Sequence, residues 1–200
     1  MAPLILCSVL ALAIIVERSW SLRQKRVIPS DIVGLIWRLH KEDCLDATEL
    51  NRIRRSSLLG RMLAIGAINI NHGRQVIKDS IEEEGRQVVY VMEKNLNTLG
   101  TIAAITPLIG LLGTVIGMIK VFNAITAQGI GDPVVLAGGI SEALITTAAG
   151  MSVAIPALIF HRYYTGKVDE YVILMEDEAL KMVEVLTGDR EMGGEEEENV

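Results

Sequence analysis

The sequence predicts an all-α integral membrane protein with three transmembrane helices, joined to long helices that extend into a cytoplasmic helical bundle. Three observations carry this reading. Half of the 200 residues are apolar while aromatics make up only 4%, and mean hydropathy is +0.37, a balance that suits membrane helices better than a water-soluble domain. The apolar residues are gathered into blocks, two of them long enough to cross hydrocarbon. Lys and Arg crowd into one loop and are missing from another, which sets an orientation. The net charge of −6 names no partner, because positive and negative residues are segregated along the chain. There is no basic patch interleaved with aromatics, so nucleic acid is not an expected partner.

The first block, Pro3 to Val16 (PLILCSVLALAIIV), is shorter than the about 20 residues a spanning helix needs. A signal peptide is the competing reading, but no Lys or Arg precedes the run, and Arg18, Arg23, Lys25 and Arg26 follow it. It is read as an uncleaved anchor over residues 1–19 with its N-terminus outside, lengthened by tilt and by Glu17 and Arg18 snorkelling beside Trp20. A native chain that starts earlier is the other way to lengthen it.

Residues 20–94 turn polar and basic, with apolar residues at helical spacing. Pro29, Ser30 and Asp31 start one helix. A second runs from Thr48 through LNRIRRSSLLGRMLAIGAI, and a third runs from about Arg74 with no proline to stop it before the next apolar block. The cluster Arg52, Arg54, Arg55 and Arg61 is read as a solvated helix face, with anionic lipid headgroups as the alternative partner.

Leu96 to Ile119 is uncharged and long enough to span, giving a second transmembrane helix over 95–123. Gly110, Gly113 and Gly117 lie near one face, and the last two have the GxxxG spacing that lets backbones approach closely in lipid. Pro107 removes a backbone donor and loosens the helix one turn earlier. Lys120 marks the far interface. Gly129, Gly131, Asp132 and Pro133 signal a turn within a loop over 124–133. The third span, 134–161, holds the one costly group, Glu142, in GGISEALITTAAGMSVAIPALIF. Pro156, toward the inner end, is read as a packing kink.

Beyond the span, Val168, Val172, Met175, Ala179, Met182 and Leu186 form a heptad seam, so 162–187 is a stiff helix that packs on another. Residues 188–200, ending in EEEEN, are read as an acidic solvated tail. Fourteen Lys and Arg lie between the first two spans, from Arg18 to Lys94, whereas Val121 to Gly139 has none. The large loop and the C-terminus are therefore placed in the cytoplasm.

An ionisable side chain at membrane depth costs a few kcal/mol and faces a protein interior or a water path rather than lipid. Glu142 can be neutral when protonated and charged when not, which is what a proton carrier needs. With the hairpin midpoint near Gly129, Thr114 comes level with about residue 144, between Glu142 and Thr146. Glu142 and Thr146 share a helix face, and Thr147 lies about 100° further round. Threonine hydroxyls donate and accept, so they can support either state of the acid. Each also has a purely structural alternative, the bond to its own i−4 carbonyl. Cys7 and Cys44 make no disulfide framework, His40, His72 and His161 are isolated, and neither metal-ligand spacing nor a cofactor motif is present. A hydrolase finds no GxSxG elbow or HExxH. A non-conducting membrane scaffold is the rival of a different class.

TPLIGLLGTVIGMI followed by GGISEALITTAAGMSVAIPALIFHRYY resembles the signature of the MotA/TolQ/ExbB proton-channel family, and Glu17, Arg18 and Trp20 resemble the end of the first span in its ExbB branch. The resemblance implies a homopentamer in the inner membrane of a Gram-negative cell. Its pore would hold an ExbD-type single-span subunit, and a TonB-type energy transducer would receive the work. It implies that Glu142, Thr114 and Thr147 form the proton pathway. It thus favours Thr147 where the helical-face argument favours Thr146, and both stay candidates. Three spans fit ExbB or TolQ better than MotA, and a TolQ-type subunit of an envelope-constriction motor is the nearest alternative.

Overall fold

The structure is a computed structural model that describes residues 2–29, 32–42, 46–128 and 133–186. The expected helix start at Ser30 and Asp31, Cys44, the turn at Gly129, Gly131 and Asp132, and the acidic tail lie outside these. Among the described residues all regular structure is helical: α1 Ala2–Ser21, α2 Gln24–Val27, α3 Ile32–Lys41, α4 Ala47–Ser56, α5 Leu58–Ile68, α6 Arg74–Glu93, α7 Leu96–Gln128 and α8 Pro133–Leu186, with a short 3₁₀ turn at Ile70–His72. Three helical runs are long and apolar enough to cross a membrane: Ala2–Ser21, Arg74–Thr126 and Leu136–Leu186. The protein is an all-α membrane protein.

Two breaks interrupt helices that the sequence pattern reads as continuous. α4 and α5 are separated at Ser57, whose extended backbone (φ −161°, ψ 169°) lets its hydroxyl accept the Gly60 N–H at 2.9 Å, an N-cap that satisfies one of the free donors of a helix start. The α6 to α7 boundary falls at Asn95, the one described non-glycine residue with positive φ, 65°. Asparagine is one of the few non-glycine residues that visit that conformation, and here its amide donates to the Glu17 carboxylate at 3.5 Å. No proline was needed to end the helix.

The chain divides into two compact units. The first contains residues 1–18 and 95–165, hence most of α1, all of α7 and the first part of α8. Its outward side chains are apolar and open, among them Leu108, Leu111, Phe122, Leu144 and Ile159, as expected where lipid rather than water is the surrounding solvent. Arg18 is buried against Glu17, with Nε 2.8 Å from the carboxylate, and the Tyr164 hydroxyl donates to the Ile15 carbonyl at 3.0 Å. The Tyr164 bond ties the end of α1 to α8.

The second unit contains residues 19–94 and 166–200. Val27, Ile36, Leu59, Leu63, Ile77, Val88 and Met92 form its core together with Val168, Tyr171, Met175 and Met182 of α8. Of the heptad seam, Val168, Met175, Ala179 and Met182 are buried, while Val172 and Leu186 are half-buried. Tyr171, adjacent to the seam, is buried and donates to the Leu22 carbonyl at 3.0 Å. Arg61 and Glu84 pair across α5 and α6. On the outer face Lys181 bonds Glu178 and Asp177, which hold its ammonium above the usual lysine range.

Candidate functional site

The site lies in the first unit, where α7 and α8 pack antiparallel along a seam of small residues. Gly110 faces Thr147, Gly113 faces Thr146, Gly117 faces Ala143, and Gly150 faces Gly110 and the Thr106 carbonyl. The approach is close enough to exclude side chains. A Cβ on Gly113 would sit 2.7 Å from the Thr146 Cβ, and one on Gly117 would sit 2.8 Å from the Ala143 Cβ. Glycine is required at these positions for backbone approach, the reason small residues gather at helix contacts in lipid. The order of contacts places Thr114 between Thr146 and Ala143 in height, close to the level read from the hairpin midpoint.

The three threonines use their donors on backbone carbonyls. Thr147 reaches across the seam to the Gly110 carbonyl at 3.1 Å. Thr146 bonds back to the Ala143 and Glu142 carbonyls at 2.7 and 2.9 Å, and Thr114 to the Leu111 carbonyl at 2.7 Å. Thr146 thus takes the i−4 bond that was its structural alternative, Thr114 bonds one residue nearer, at i−3, and Thr147 ties the two helices together. Every hydroxyl oxygen keeps lone pairs with which to accept. α7 passes through Pro107 and α8 through Pro156 without interruption. Next to Pro107, Thr106 is fully buried and bonds the Ile102 carbonyl.

Glu142 is more than half exposed in the single chain, and its described partner is Lys120, with Nζ 3.4 Å from Oε1. The sequence pattern placed Lys120 only at an interface. What could have signalled the pair is that Lys120, Asp132 and Glu142 are the only charged residues between Asn95 and Phe160. His161, given no role from sequence, lies with its ring against Gly100, and its Nδ1 is enclosed without a hydrogen-bond partner. Among the described residues no cluster of His, Cys, Asp or Glu could hold a metal ion.

Three helical runs able to span, and a lone acid beside a glycine-packed seam, define a multi-pass membrane protein with an ionisable group inside its spanning region. The chain belongs to the MotA/TolQ/ExbB proton channel family, which matches residues 49–177, more than half its length. It is 36% identical over 166 residues to a Synechocystis sp. protein named biopolymer transport protein ExbB-like 1, covering 81% of this chain and 65% of the relative. It is also 36% identical over 85 residues to biopolymer transport protein ExbB of Salmonella typhimurium, 42% of this chain and 35% of the relative. A 64-residue stretch is 48% identical to exbB1 of Vibrio cholerae, 32% of this chain and 28% of the relative. The chain spans less than two thirds of the length of these relatives.

Proposed function

We propose that this protein is the proton-channel, or stator, subunit of an inner-membrane motor that uses the proton motive force to energise TonB-dependent transport across the outer membrane. It acts as a homopentamer whose pore holds an ExbD-type single-span subunit. The observation that carries the reading is Glu142, the one carboxylate on α7 and on α8 as far as Phe160, where glycine contacts set the register of the two helices, within the stretch that matches the family. The spans are 1–19, 95–123 and 134–161, with the N-terminus periplasmic and the loop 20–94 and the C-terminus cytoplasmic, an orientation supported by the distribution of Lys and Arg.

In this reading Glu142 takes a proton from the periplasmic side and releases it inward as the partner helix moves past. Thr147 and Thr146 hold α8 against α7, and the oxygens of Thr114, Thr146 and Thr147 accept hydrogen bonds from water or from the protonated acid. Gly110, Gly113 and Gly117 keep the seam thin, and Pro107 and Pro156 each leave one carbonyl without its helical donor. Chemistry on a bound substrate has no part in this.

The test is co-expression with an ExbD-type single-span subunit in a Gram-negative strain lacking its own ExbB and TolQ. Restored proton-dependent uptake through a TonB-dependent transporter is the expected result. Rescue of envelope constriction alone would assign the TolQ-type role. Rescue of neither, with the complex assembled, would favour the scaffold.

A further inference from the structure

We infer that Lys120 is the counter-ion of Glu142, and that the ion pair, rather than the carboxylate alone, is the unit that takes up and gives back the proton. The inference rests on the proton-carrier reading of Glu142 and adds a positioning residue to it. The chain places just three charged residues between Asn95 and Phe160, and the fold brings two of them, from different helices, to 3.4 Å.

The meeting is fixed by the backbone. Lys120 is followed by Val121, whose Cγ2 occupies the space that a Cβ on Gly139 would need. Glu142 is followed by Ala143, whose Cβ lies 2.8 Å from where a Cβ on Gly117 would stand. These two contacts bracket the pair on both helices, so sliding α7 along α8 by one residue would lose both. The side chains themselves remain open, 60% for Lys120 and 64% for Glu142, so water or a partner helix can reach them.

No other described charge competes. Along α7 the only ionic group is Lys120, and along α8 as far as Phe160 it is Glu142. Asp132, in the connection, lies outside the described residues. On α1, Glu17 and Arg18 pair with each other at the end held by Tyr164, more than twenty positions along α8 from Glu142.

Within an apolar span an isolated carboxylate or ammonium is costly, and each offsets the other's cost. When a proton binds the Glu142 carboxylate oxygen, the anion is lost and Lys120 is left at that depth without its partner. The flexible four-carbon stem of lysine then lets the ammonium turn toward the interface. Release of the proton restores the carboxylate and draws the ammonium back. Proton loading is thereby coupled to movement of a side chain at the mouth of the seam.

The experiment is infrared difference spectroscopy at fixed pH of the purified full-length protein in lipid vesicles, following the carboxylate band that disappears in Glu142→Gln. In Lys120→Met that band is expected to shift in frequency, because the Glu142 oxygen 3.4 Å from the ammonium loses its charge-assisted partner. Lys120→Gln, run beside it as a polar replacement, is expected to give the same shift, and Lys120→Arg to stay near the parent. An unchanged band in both neutral variants, or an equal shift in Lys120→Arg, would overturn the inference. The readout needs no transport, so a Glu142→Gln variant that still conducts would defeat the proton-carrier reading and leave the pairing test standing.

Discussion

Replacing Gly113 by alanine tests the seam on which the site depends. The new Cβ would stand 2.7 Å from both Cβ and Oγ1 of Thr146 and 3.1 Å from its Cγ2, whereas carbon atoms in contact prefer about 3.5–4.0 Å. The helices must part by roughly an ångström, an overpacking cost of about 1–3 kcal/mol. The same displacement stretches the 3.1 Å bond from Thr147 to the Gly110 carbonyl beyond hydrogen-bond range, adding about 0.6–1.7 kcal/mol for an interhelical bond in lipid. A loss of about 2–4 kcal/mol is expected, measured as reversible unfolding in mixed detergent–lipid micelles. The three nearest atoms all belong to the Thr146 side chain, so the partner substitution is specific. Thr146→Gly should recover most of the loss, whereas Thr146→Ala keeps the offending Cβ and should recover little. Gly113→Ala within about 0.5 kcal/mol of the parent, or equal rescue by Ala and Gly, would refute the close-packed seam.

Other outcomes follow from the second unit. Tyr171→Phe removes the hydroxyl that donates to the Leu22 carbonyl and should cost about 0.5–1.5 kcal/mol, read from the thermal midpoint, with no change in assembly. Arg61→Met strands Glu84, which is 9% exposed, and should destabilise by about 3 kcal/mol, whereas Arg61→Met with Glu84→Leu should recover most of that. Gly66→Ala puts a Cβ 2.7 Å from Ile81 Cδ1, and its cost of about 1–3 kcal/mol should fall when Ile81→Val shortens the neighbour.

The fold was legible where patterning is strong. Uncharged runs longer than about 20 residues require helices able to span, and the Gly110, Gly113 and Gly117 spacing announced a close helix contact. The hairpin register followed from antiparallel geometry once a turn was placed near Gly129. The breaks at Ser57 and Asn95 were not read, because each depends on a single side chain that caps or adopts positive φ, a local choice that hydrophobic periodicity does not sense. By sequence Lys120 reads as an interface marker, because lysines at helix ends usually are. Its pairing with Glu142 depends on where two side chains reach across a seam, which spacing along one helix does not reveal. The threonine hydroxyls were readable as candidates but not in direction. The donors of Thr114, Thr146 and Thr147 are taken by carbonyls that only the packed helices bring within reach or leave open.

The central claim is that protons pass by way of the Glu142 carboxyl. Its most direct measurement is proton flux into vesicles containing the protein and the proposed ExbD-type single-span subunit, comparing the parent with Glu142→Gln under an imposed gradient. Flux that falls to the level of empty vesicles in the variant, with the complex assembled to the same extent, is predicted. Undiminished flux through an equally assembled Glu142→Gln complex would contradict the account.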